Sequence, residues 1–134
     1  NVFITMGDTK TSKTKAGEVC TVADIKLNNM LDSEVKDATS YNLILVGGPC
    51  ANVLVGKVTG FPTCEGWRGM YKTGDAILQL ADNGKNVAML VAGTDAADTR
   101  AAAKVIANYK DSKDLKGAKV MVKGGKVAAD TTTK

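Results

Sequence analysis

Two unbroken apolar runs, residues 42–46 (NLILV) and 87–91 (VAMLV), stand out in a chain whose other segments alternate or are polar. A strand covered on both faces reads this way, and each run stops at small residues: Gly47-Gly48-Pro49 after the first, Gly93 after the second. The first forty residues have a different texture. Residues 2–6 and 19–22 are rich in β-prone types, and Ile25 and Leu27 alternate with Asp24, Lys26 and Asn28, which predicts three short strands. Residues 7–17, rich in Thr, Lys and Ser and without apolar periodicity, predict an exposed loop or hairpin connection.

Helical signals follow each apolar run. Residues 50–58 predict a short apolar helix, with Pro49 in its first turn, where a missing N–H costs no bond. Residues 61–73, holding Phe61 and Trp67 among glycines, predict a long loop. In 75–82, Ile77, Leu78 and Leu80 share a helical face, and Asn83-Gly84 predicts its stop. The strongest helix prediction covers 94–109: Asp95 and Asp98 fit an N-cap and its partner three residues on, and Ala102, Val105, Ile106 and Tyr109 share a face. Residues 119–123 alternate again, and Gly124-Gly125 predicts a turn into a returning strand over 126–129. The units LILVGGPCANVL and AMLVAGTDAADTR thus read as two strand-turn-helix repeats joined by right-handed crossovers. The predicted fold is α/β: a small, mostly parallel sheet with flanking helices in Rossmann-like layers, extended by antiparallel N-terminal strands. One domain over residues 1–134 is expected, with a β-rich part (1–40), an α/β core (41–129) and a tail (130–134).

Composition narrows the chemistry. The chain has 134 residues and no His, which removes the commonest general base and the commonest transition-metal ligand together. Its net charge of +4 comes from scattered lysines rather than an arginine-rich stripe, so nucleic acid is a poor partner. No apolar stretch approaches the length of a membrane span. A start at Asn1, without initiator Met or signal-like segment, reads as a processed or excised piece.

Four constellations remain. The turn Gly47, Gly48 and Pro49 precedes a predicted helix and suits an anionic or phosphate-bearing molecule in principle, although no phosphate-binding motif is present and Pro49 lacks a donor. Cys50 and Cys64 bracket a loop and admit three readings: a structural disulfide in an extracytoplasmic setting, inert thiols, or a nucleophile at a helix start. Without His as a partner, the nucleophile is the weakest. Cys20, on an alternating strand, reads as a buried thiol, with an intermolecular bridge as its rival. Asp75, Asp95 and Asp98 read as helix caps; calcium is a chemically reasonable occupant, but no calcium-loop motif specifies it, and no resident cofactor is expected. Trp67, Arg68 and Tyr71 are of the types that dominate interfaces and serve equally as a packed lid.

The stretch NLILVGGPCANVLVGKVTGFPTCEGW and the later GDAILQLADNGKNVAMLVAGTDAADTRAAAKVIANY resemble the α/β domain of archaeal S-layer and S-layer-like surface proteins. The resemblance covers residues 41–109. It implies an extracellular, non-catalytic protein whose partner is itself, tiling into a lattice or building a filament, with strand donation at sheet edges as a natural route. By position, Gly47, Gly48, Pro49 and Asn52 shape the first turn, and Asp98, Thr99 and Arg100 open the second helix. It also implies a loop disulfide between Cys50 and Cys64. No Asn-x-Ser/Thr site for glycosylation occurs in the chain.

Overall fold

In the computed structural model, residues 2–6, 10–14, 17–21 and 26–128 are described, with side chains over 27–128. The strands are β1 (Val2–Met6), β2 (Lys10–Thr14), β3 (Gly17–Thr21), β4 (Lys26–Met30), β5 (Asn42–Val46), β6 (Asp75–Asn83), β7 (Asn86–Gly93), β8 (Lys119–Lys123) and β9 (Lys126–Ala128). Two α-helices accompany them, α1 (Cys64–Met70) and α2 (Ala96–Ala107). Seven strands form one sheet in the order β4-β1-β5-β7-β6-β8-β9, while β2 and β3 pair separately.

The sheet corrects the expected architecture. Among the described residues only β5 and β7 run parallel, with Leu43 opposite Ala88 and Val46 opposite Val91, and the other pairings are antiparallel. The fold is therefore mostly β and not a Rossmann-like, mostly parallel sheet. The cause lies in residues 75–82, expected as a helix. They form most of β6, with Ala76, Ile77 and Leu78 buried in succession because the strand lies between β7 and β8 and is covered on both faces there. Ile77, Leu78 and Leu80 fit a helical face, but in the strand Leu80 is 46% exposed and the buried run is 76–78, a short apolar stretch that periodicity alone does not assign. Asn83-Gly84 is a hairpin signal rather than a helix stop. Asn83 pairs with Asn86 across a two-residue turn, and Gly84 takes φ +69°, a conformation that hairpin turns demand.

Residues 50–58 do not form the expected α-helix. The amides of Ala51 and Asn52 both donate to the Gly48 carbonyl, and a single 3-10 turn follows at Val55–Lys57. The expected loop over 61–73 contains α1, whose first turn is capped by the Thr63 hydroxyl accepting from the Gly66 amide at 3.1 Å. Its glycines conceal it in the sequence, since glycine weakens helix propensity. Within 7–17, β2 pairs with β3 from Lys10 opposite Thr21 to Thr14 opposite Gly17, making a hairpin. Val22, Asp24 and Ile25, the Cys20 side chain, Ala129 and the tail 130–134 lie outside the described residues.

Two cores sandwich the sheet. On one face Leu43, Leu45, Ile77, Leu90 and Met121 meet Val35, Leu54, Val55, Val58, Phe61, Trp67 and Tyr71 from the segments between β4 and β6. On the other, Leu78, Val91, Val120 and Val122 meet Ala102 and Val105 of α2. Burying side chains of this size stabilises by about 1.5–3 kcal/mol each relative to exposure. Asn83, only 4% exposed, ties the first layer down: its amide donates to the carbonyls of Ala38 (2.7 Å) and Tyr41 (2.9 Å).

Candidate functional site: the crevice at the ends of the parallel strands

The parallel pair creates a concavity, because β5 and β7 finish side by side and their chains then leave in different directions. From β5 the chain turns through Gly47-Gly48-Pro49; from β7 it enters α2. Open sheets with parallel neighbours place their crevices at such divergences. The crevice here has a volume of about 700 Å³ and is lined by Gly47, Gly48, Trp67, Arg68, Lys72 and Thr94, among others.

The first wall is a network of short bonds. Gly47 donates to the Val91 carbonyl at 2.9 Å, extending the β5–β7 ladder by one rung. Asn52, 3% exposed, uses both ends of its amide: Nδ2 donates to the Val46 carbonyl at 3.4 Å, and Oδ1 accepts from the Leu54 amide at 3.1 Å. Gly47, Ala51 and Asn52 thus donate internally, and Pro49 has no N–H, which removes these amides from any cradle for an anion.

Cys50 and Cys64 are joined, S–S 2.07 Å and Cα–Cα 4.6 Å. The bond fastens the turn to the start of α1 and leaves neither sulfur as a nucleophile. Trp67 and Tyr71 stack at 4.3 Å between ring centroids, and at 4% and 5% exposure they form the crevice floor as core residues. Of the residues singled out as interface types, only Arg68 is exposed.

The opposite wall depends on Gly93. A Cβ there would lie on the Thr99 amide and within 2.5 Å of the Asp98 backbone, so β7 can approach α2 this closely only with glycine. Thr99 completes the joint: its hydroxyl accepts from the Gly93 amide at 3.0 Å and donates to the Asp95 carbonyl at 3.2 Å. The Asp98 carboxylate accepts from the amides of Asp95 (3.1 Å) and Gly74 (3.0 Å), fixing the helix start and the loop before β6 at once. Arg100 is exposed on α2. The Asp95–Asp98 spacing was readable as a capping signal, whereas the link to Gly74, 24 residues away, leaves no trace in local pattern.

Chemically, the lining of the crevice includes two exposed cations, Arg68 and Lys72, and the exposed carboxylate of Asp95. The Thr94 hydroxyl in its wall is buried without a hydrogen-bond partner. Among the described residues, no three or more of His, Cys, Asp and Glu come together to hold a metal ion. Nor is any helix among them long and apolar enough to cross a membrane.

No match is found among curated proteins or among solved structures. The S-layer like family, outer domain, matches residues 4–110, a span that begins in β1 and includes both walls of the crevice. By that match the chain belongs to the S-layer-like family.

Proposed function

We propose that this chain is a structural subunit of a cell-surface layer, that it self-associates into a lattice or filament, and that it catalyses no reaction. The family match over residues 4–110 carries the reading, since membership points to a structural cell-surface protein. The Cys50–Cys64 bond supports an extracellular setting, where disulfides persist. The joints also fit: Gly47, Asn52, Gly93, Asp98 and Thr99 use their polar groups, or their lack of a side chain, to join each strand to the next segment of chain. The domain is one structural tile, with exposed sheet edges as its means of joining copies.

Negative-stain electron microscopy across a concentration series, with calcium and with chelator, tests the proposal. Sheets or filaments that grow with concentration are expected, and a calcium requirement would add an ion to the contact. Monomers under every condition would overturn self-association. A rival reading, a module for an anionic ligand, draws on the crevice volume and on Arg68 and Lys72 rather than on the turn amides. It requires a phosphate- or carboxylate-bearing ligand to raise the melting temperature, by the equivalent of about 2.7 kcal/mol at a hundred times its Kd.

A further inference from the structure

The two edges of the seven-stranded sheet are unlike each other. β4 and β9 bound it, and among the described residues neither has a strand on its outer flank. Soon after β4 come Asp32 and Glu34, in a 3-10 turn: the Glu34 carboxylate accepts from the Leu31 amide at 2.6 Å within the turn, and Asp32 accepts from the Val53 amide, 21 residues on, at 2.9 Å. Leu27 and Leu31 on the same rim are 55% and 54% exposed. At the strand end that holds Lys123 and Lys126 the other rim is basic, although Asp111 and Asp114 border a pocket beside Lys126. Lys123 closes β8 and Lys126 opens β9, both exposed, with Lys123 held 3.4 Å from Asp75.

Strand directions make the edges compatible as well as opposite in charge. Following the pairings outward from β5 and β7, β4 runs in their direction and β9 runs against it. A second copy laid beside the first in the same orientation therefore sets its β4 antiparallel to the first copy's β9. The carboxyl end of β4 and the amino end of β9 both lie at the crevice end of the sheet, so the acids and the lysines come to the same side of the joint. Lys26 lies at the opposite end of β4, away from that contact.

We infer that copies of this chain join head to tail, the β4 edge of one, with Asp32 and Glu34, pairing with the β9 edge of the next, with Lys123 and Lys126. A contact between two different patches does not close on itself in a pair and propagates as an open chain unless the rotation closes a ring. Charge also selects against the wrong joints. Two β4 edges joined with their crevice ends on the same side would bring acids together, two β9 edges joined that way would bring lysines together, and like-charge juxtaposition is penalised. The inference rests on the self-association reading and adds to it which surfaces meet.

A charge swap tests it. One variant carries Lys123→Gln with Lys126→Glu, a choice that avoids placing a new carboxylate beside Asp75; the other carries Glu34→Lys with Asn29→Lys, at an exposed position of β4 one residue from its carboxyl end that leaves the Asp32 bond to Val53 intact. Sedimentation velocity of the intact chain follows the wild type, each variant alone and their equimolar mixture, and thermal melts of the isolated variants verify folding. Each variant alone is expected to raise the apparent dissociation constant by about tenfold or more. The mixture is expected to restore assembly, because each reversed edge then meets its reversed complement, and added salt should weaken wild type and mixture alike. If the wild type assembles and folded variants assemble equally well, or if the mixture stays dissociated, the edge pairing is wrong while self-association stands. A wild type that never assembles overturns the underlying reading and this inference with it.

Discussion

Removing the Cys50–Cys64 bond, by Cys50→Ala with Cys64→Ala, should lower stability through the unfolded chain rather than by dismantling the folded one. The bond spans a sequence separation of 14 residues. Closing a ring of about 15 residues is worth ~3 kcal/mol in chain entropy. In the folded state the same segment is independently anchored, because Leu54, Val55, Val58 and Phe61 between the two cysteines are all buried in the first core. Native structure should therefore survive. Scaling the per-residue entropy of unfolding to this chain gives ~0.28 kcal/mol per degree, so the loss corresponds to a fall in Tm of about 11 °C. Trp67 is the chain's only tryptophan, sits in α1 and is 4% exposed, which makes its fluorescence a direct report on whether α1 stays docked. The expected result is an unshifted native emission with the midpoint lowered by roughly ten degrees. A double variant melting within about 3 °C of the wild type, well short of that loss, would refute the ring-entropy reasoning. A red-shifted emission before melting would show instead that the bond holds α1 in place in the folded state.

Three further perturbations address the joints. Gly93→Ala should cost about 1–3 kcal/mol as β7 and α2 are forced apart, visible as a lower denaturant midpoint with unchanged slope; a neutral result would mean that α2 shifts freely. Asp98→Ala removes the acceptor for the Gly74 and Asp95 amides and should cost about 2 kcal/mol, with faster hydrogen exchange at those two amides as its signature. Asp37 is held below its ordinary pKa of 3.8 by hydrogen bonds from the Ser40 and then the Thr39 side chains, helped by the Thr39 amide. A depressed carboxyl contributes stability fully above 3.8 and loses it as pH falls through its lower folded value, so a carboxyl-carbon NMR titration should place the midpoint below 3.8, and a midpoint at or above it would contradict the geometry.

Legibility in the sequence followed the number of covered faces and the reach of each bond. β5, β7 and α2 were readable because their patterns are local: two unbroken apolar runs, and a capped amphipathic stretch opening at Asp95. β6 was not, because it is buried on both faces at Ala76-Ile77-Leu78 while Ile77, Leu78 and Leu80 also fit a helical face; once it is misread, the antiparallel β6–β7 hairpin becomes a crossover and the sheet becomes parallel. α1 was hidden by Gly66 and Gly69, although Thr63 is a sound cap followed by an acidic first turn. At the crevice, the turn residues and the cysteines could be singled out from the sequence. The burial of Trp67 and Tyr71, and the span from Asp98 to Gly74, depend on layers meeting in space and are not encoded in any window of the chain.

The position of β1 within the sheet has a mechanical consequence. It is flanked on both sides, by β4 over five residue pairs and by β5 over four, whereas β9 is held on one side by three pairs to β8. Tension applied along β1 must slide it past two neighbours at once, loading many hydrogen bonds simultaneously. The same tension applied across β9 breaks its three pairs one after another. In a single subunit, strain is therefore relieved first at the β9 hairpin, by peeling a short ribbon, before β1 slides past its neighbours.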